Sequence, residues 1–489
     1  MSKSLIIIGG GIAGLSAGCY AQMNGFNSEI YEMNSIAGGL CTAWQREGFT
    51  FDLCIQWLVG SSPKSKMHAL WEELSLVQNK QFVNYTYFKH DLDECGNRFI
   101  SYTDPDALRE HMLSFSKEDE KLINTITKDI KKLMNMEIPI DFDIRALITM
   151  LPVLRVFRKY SMPVSELAAQ FKNPVLSNLF RCAFDWHDQA AIFLLLNLAL
   201  MRSGNAGYPI GGSRPLAQSI EERYLALGGT ISNNAKVEKI LVENNTAVGV
   251  RLADGTEKRG DIVLSAADGH TTIFKWLEGN YINDTIRGFY DTLEPYPPIV
   301  YVSLGINGDY SDEPRILSFP LKTSIEIGGE EIQRLWLRNH SIDKTLAPEG
   351  KTVFSLIIPT SYDYWARLRD KTGAYLAEKK RIEGVVINAI SEVYPDIKSK
   401  VEVADTTTPL TLVRNYGNWR GSYAGWQFTK KSMSLANRMP ITLPGLSNFY
   451  MAGHWVVPGG GLTSAAITAR AAIKRMCKNE KMRFETSKP

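Results

Sequence analysis

The sequence predicts an α/β fold, and three stretches carry that prediction. The apolar run "SLIII", Ser4 to Ile8, passes directly into Gly9-x-Gly11-x-x-Gly14 and then a small-residue helix, "AGLSAGCYAQMNG". A second short strand, "SEIYE", ends in Glu32, about 20 residues beyond the glycines. Far downstream, the strand "NFYMA" enters a turn at Gly453, and another small-residue helix follows Gly459 to Gly461. Strand, glycine turn, helix and acid-terminated strand are the parts of a Rossmann-type dinucleotide-binding sheet.

Each residue of the first turn has a physical task. Gly9 permits the tight turn, Gly11 lets backbone approach a pyrophosphate, and Gly14 lets the helix meet the strand closely. Ile12 and Ala13 open the helix, where free N–H groups and the helix dipole favour anions. Glu32 stands where a carboxylate hydrogen-bonds a ribose hydroxyl. After it comes "MNSIAGGL", a second glycine pair at Gly38 and Gly39 followed by Leu40, which a nicotinamide site does not require.

Composition bounds the remaining possibilities. A chain of 489 residues, 44% apolar and 22% charged, is long enough for two or three packed domains. A net charge of +3 gives no argument for nucleic acid. The six cysteines have neither paired nor zinc-like spacing, so neither a disulfide framework nor a metal site is suggested. No secretory pattern precedes the first strand, which predicts a cytoplasmic protein whose membrane contact, if any, is peripheral. The apolar stretch from Gln189 to Met201 reads as a buried core helix.

Further blocks add specificity. "GFTFD" (Gly48 to Asp52), "YPIGGSRPLAQSIEERYLALGGTI" from Tyr208, the alternating strands from Ala235 to Asp268, and "TTPLTLVRNYGNWRGSYAGW" from Thr407 complete the set. Together with the glycine turns, they resemble FAD-dependent flavoproteins of the amine-oxidase-like fold, in particular phytoene desaturases, carotene isomerases and retinol saturases. The resemblance implies FAD, with Gly38, Gly39 and Leu40 passing along it and the backbone at Val237 beside adenine. It places Gly453 and His454 at the ribityl chain, and Gly461 and Leu462 facing the pyrimidine end of the flavin.

These blocks divide the chain. Residues 1–65, 205–290 and 410–489 would form a discontinuous FAD-binding domain. Residues 66–204, read as mostly helical, and 291–409, read as strands with one charged helix, would form an interleaved α+β substrate-binding or lid domain. In "IDFDIRALITMLPVLRVFRKY", Ile144, Leu147, Ile148, Leu151 and Leu154 form an apolar stripe beside Arg145, Arg155, Arg158 and Lys159. That segment is either a surface helix docking on a membrane or an internal helix with a solvated basic face.

Candidates for acid–base work are few. His187, between Asp185 and Asp188, is either a proton donor or a helix-end residue with satisfied hydrogen bonds. Gln56 replaces a residue that the resemblance places near the flavin, which leaves the reaction type open. His454 reads as a packing or hydrogen-bonding residue. With no other nucleophile and no second nucleotide motif, the flavin carries the chemistry and an external donor or acceptor exchanges electrons with it. The resemblance implies a long apolar polyene or lipid substrate, desaturated, saturated or isomerised. Two alternatives stand beside this. A flavin amine oxidase would place aromatic rings such as Trp419, Tyr423 and Trp426 over the flavin. Rab escort and GDP-dissociation-inhibitor proteins share the fold and bind prenylated partners without FAD, and the intact Glu32 and Gly453–Gly461 signature argue against that reading.

Overall fold

In the computed structural model, residues 2–141, 144–184, 189–433 and 439–489 are described, the side chains of 144–149 excepted. Strand β1 (Ser4–Ile8) is buried at every residue but its first, because it runs through the middle of a parallel sheet. It leads into α1 (Ile12–Met23), whose Ala13, Gly14, Ala17 and Ala21 let the helix lie close on its neighbours. The sheet is completed by β2 (Asn27–Tyr31), β3 (Thr230–Ser232), β4 (Ile262–Ser265) and β5 (Phe449–Met451). Its order is β3-β2-β1-β4-β5, with every pairing parallel. Helix α2 (Gly461–Asn479) packs against α1, burying Ala465, Ala466, Ala469 and Ala472.

The intervening chain builds a seven-stranded mixed sheet. Its order is Val401–Thr407, Ile299–Ile306, Thr352–Pro359, Glu330–Asn339, Ile316–Ile327, Tyr87–Leu92, Arg98–Tyr102. Neighbours are antiparallel except Ile316–Ile327 with Tyr87–Leu92, which are parallel. Strand Ile299–Ile306 is buried throughout, since both of its faces are covered. Val300, Val302, Leu304 and Ile306 meet Ile382, Val386 and Ile390 of the helix Thr372–Ile390. On the other face, Tyr301 packs with Leu53, and Phe49 lies against Gly305. This second contact holds the hairpin Ala43–Arg46/Phe49–Asp52 between the two sheets.

Within residues 66–204 the helices are interrupted by strands that the sequence reading did not place: Phe82–Val83, Tyr87–Leu92 and Arg98–Tyr102, between the helices Lys66–Glu73 and Pro105–Phe115. Polar residues interrupt the strand pattern there, because Lys89 is buried over the Trp336 ring and donates to Asp91 Oδ1 (2.6 Å) and the Cys182 carbonyl (2.9 Å). In the helix Ile144–Lys159, which carries Pro152 inside it, the inward residues are Val153 and Val156, with Tyr160 just beyond. Leu151 (56% exposed) and Leu154 (39%) instead face outward beside Arg155 and Arg158. Ile144, Arg145, Leu147 and Ile148 have side chains outside the described residues. Helix Ala191–Arg202 is buried along most of its length, as its composition predicts.

Candidate cofactor and active site

Glycine sets the geometry where β1 ends. Gly9 has φ +93°, and Gly14 lies so close behind it that an added Cβ would stand 1.9 Å from the Gly9 carbonyl oxygen. Gly10 N–H donates to Glu32 Oε2 at 2.7 Å, while Glu32 Oε1 accepts from Asn34 N (2.8 Å) and Nδ2 (2.9 Å). Glu32 is 4% exposed, so these bonds hold a buried carboxylate in one orientation. Gly38 N–H donates to the Gly10 carbonyl at 2.8 Å, and Gly11 and Gly38 form a parallel bridge. A Cβ on Gly39 would stand 3.1 Å from Gly11 Cα, whereas one on Gly11 would meet nothing nearer than 3.9 Å. The N-terminus of α1 therefore opens beside Gly11 with no side chain capping its free N–H groups.

The C-terminal signature closes the same cradle. Gly453 (φ +106°) would place a Cβ 3.6 Å from Ala13 Cβ, and its N–H donates to Thr468 Oγ1 at 2.8 Å. Gly459, Gly460 and Gly461 all have positive φ, and they start α2 without a side-chain cap. A Cβ on Gly461 would meet nothing within 4 Å, while Leu462 beside it is buried. Val237 begins the meander strand Val237–Glu243, and just before it Ala235 N–H donates to the Glu32 carbonyl at 2.8 Å. Two uncapped helix starts, open backbone at Gly11 and a buried carboxylate fit a dinucleotide.

A sequence profile described as "Flavin containing amine oxidoreductase" matches residues 12–477. The chain belongs to that family. Its cofactor is FAD, and it is an FAD-dependent oxidoreductase. Among curated relatives, the chloroplastic prolycopene isomerase of Daucus carota is 24% identical, over 96% of this chain and 79% of its own length. The 4,4'-diaponeurosporene oxygenase of Staphylococcus aureus is 23% identical, over 97% and 98%. Two solved structures share the fold. A double mutant of putrescine oxidase has TM-score 0.62 and 13% identity, covering 98% of this chain and 99% of its own. Cyclohexylamine oxidase from Brevibacterium oxydans has TM-score 0.61 and 14% identity, covering 98% and 100%.

From the cradle of this flavoprotein, the hairpin leads to Asp52, a hub between segments. Asp52 accepts from Cys54 N (2.8 Å), Ile55 N (3.2 Å) and Ser213 Oγ (3.0 Å), and from Ser213 N, while Tyr301 OH donates to its carbonyl. Burial raises its carboxyl pKa even so. Gln56 is half-buried: its carbonyl accepts from Tyr85 OH at 3.2 Å and its Oε1 from Arg315 Nη1 at 3.4 Å. Arg315 stacks on the Tyr85 ring at 3.9 Å. Gln56 is thus anchored to the mixed sheet.

Burial pushes His454 down to about 4, so its ring is neutral rather than imidazolium near pH 7. Gly425 runs so close that a Cβ there would stand 2.0 Å from the His454 carbonyl oxygen. Trp419 stacks on His270 (4.4 Å, 6°), and Trp426 is buried with its Nε1–H on the Trp455 carbonyl. Both rings pack into the core beside β4 and β5. His187 lies outside the described residues, with Asp185, Trp186 and Asp188.

Sequence reasoning missed two features here. Asp268, buried after β4, accepts from Thr271 N (2.7 Å) and Trp419 N (2.9 Å), and burial pushes its pKa up to about 6. Cys41 and Cys54, 13 positions apart, have sulfurs 3.5 Å apart. The two cysteines lie just beyond the Ala43–Asp52 pair that ends the hairpin register.

Proposed function

We propose that the protein acts on carbon–carbon bonds of a long apolar polyene or isoprenoid lipid, by desaturation, saturation or isomerisation. In this reading FAD lies along Gly9 to Gly14, Glu32, Gly38 to Leu40, Val237, Gly453, His454, Gly461 and Leu462. Bound there, the flavin supplies hydride exchange at a carbon that the protein aligns. Residues 66–204 and 291–409 form the substrate side, and an external partner exchanges electrons when turnover is not redox-neutral.

The observation that carries this reading is end-to-end similarity to two proteins named for carotenoids. The burial of Trp426 in the core leaves the amine-oxidase alternative without one of its three aromatic candidates.

The test is anaerobic incubation of the FAD-loaded protein, oxidised or pre-reduced, with a panel of polyene lipids. A changed isomer pattern or absorbance of a polyene, with small primary amines leaving the flavin spectrum unchanged, is expected. Rapid bleaching by amines with the whole polyene panel untouched would establish the amine oxidase instead.

A further inference from the structure

We propose that Cys41 and Cys54 are a redox-active dithiol that closes to a disulfide and exchanges electrons with the flavin beside it. Three observations carry this. The sulfurs are 3.5 Å apart, just beyond the Ala43–Asp52 pair at which the hairpin register ends, and a disulfide needs them at about 2.05 Å.

The second observation is that both residues are held in place. Cys41 N–H donates to the Gly38 carbonyl at 3.1 Å, and a Cβ on Gly38 would press on the Cys41 carbonyl oxygen. Cys54 is fixed by its N–H on Asp52, and Tyr423 OH donates to its carbonyl at 3.4 Å.

The third is placement. Cys41 follows the second glycine pair of the cradle and is only 3% exposed, while Cys54 is partly buried. The acceptor of matching capacity is the cofactor of that cradle. Closing the bond removes one hydrogen from each thiol, and two electrons and two protons pass to oxidised flavin. Reopening returns them. The hydrogen bond to Cys54 and burial hold the Cys41 thiol in its protonated form. The inference needs FAD but is independent of the polyene reading.

Two measurements on the FAD-loaded protein test it. The protein is oxidised with diamide, denatured, alkylated and mapped by mass spectrometry. A peptide pair joined through Cys41 and Cys54, released by dithiothreitol, is expected, with Cys19, Cys95, Cys182 and Cys477 alkylated throughout. Alkylation of both Cys41 and Cys54 overturns the proposal, and this arm needs no variant and reads out whatever the substrate. Anaerobic dithionite titration of the oxidised protein, followed by flavin absorbance, then counts electrons. Four per flavin are expected for the parent, and two for Cys54→Ser or, should that variant fold poorly, Cys41→Ser. Equal end points in parent and variant, despite a mapped disulfide, reduce the pair to a structural bond and overturn the electron exchange.

Discussion

Glu32 carries two burdens in the cradle: it braces Gly10 and Asn34, and in the proposed complex it faces a ribose hydroxyl. Removing a charge-assisted bond costs about 1.5–3 kcal/mol, so Glu32→Ala is expected to weaken FAD retention by roughly 10- to 150-fold. Flavin occupancy after extensive dialysis measures it, and occupancy equal to the parent's would remove this role. The residues of the cradle were legible because glycine spacing reports backbone constraints that are local in sequence. Gly14 is required by a contact only five residues away. The tie from Gln56 to Arg315 and the meeting of Cys41 with Cys54 were not legible. The first spans two sheets, and the second depends on a hairpin register that alternation alone does not fix.

The helix Ile144–Lys159 shows what periodicity can and cannot say about an element. Its apolar residues suffice for more than one stripe, and which stripe is inside is settled by the partners of Val153, Val156 and Tyr160. Lys159 is not a free surface cation. It donates to Asp129 Oδ2 at 2.9 Å, with Lys132 on Oδ1. Burial opposes charge on Asp129, but these bonds outweigh it and hold its carboxyl below the usual range. Arg155 also lines a cleft of about 850 Å³ with Lys121, Lys128 and Lys132, together with the acidic Glu120 and Asp129. Among the described residues no helix is long and apolar enough to cross a membrane. We expect Arg155→Glu with Arg158→Glu to reduce co-sedimentation with anionic vesicles several-fold at low salt, and Leu151→Ser with Leu154→Ser to reduce it at all salt concentrations. Parent protein that ignores such vesicles would return the helix to a purely internal role. Of the strands within 82–102, Phe82–Val83 pairs with Tyr208 and Pro209, while Tyr87–Leu92 pairs locally with Arg98–Tyr102 and, more than two hundred residues away, with Leu317 and Ser318.

Across the whole molecule, burial holds His90, His270, His340 and His454 neutral down to about 4. In the unfolded chain such residues take up a proton near pH 6.5, so their stabilising contribution is complete above that pH and is lost as pH falls towards 4. For the well-enclosed His340 and His454 this amounts to roughly 3 kcal/mol each. Asp268, raised to about 6, and Asp52, also raised by burial, act in the opposite direction, favouring the fold as pH falls, but they are two groups against these four histidines and His111, which burial also lowers. Thermal melts should therefore show a lower Tm at pH 4.5 than at pH 7, and a Tm that is flat or rises on acidification would contradict this account. The order of strands in the parallel sheet also has a consequence at the ribosome. β1 and β2 emerge within the first 31 residues, but β4, the other neighbour of β1, begins only at Ile262, and β5 at Phe449. At ordinary translation rates the apolar edge of β1 waits on the order of tens of seconds for its partner. A nascent chain released before Phe449 presents the unpaired edge of β4 as a template for another chain, so aggregation or chaperone capture, rather than partial activity, is its expected fate.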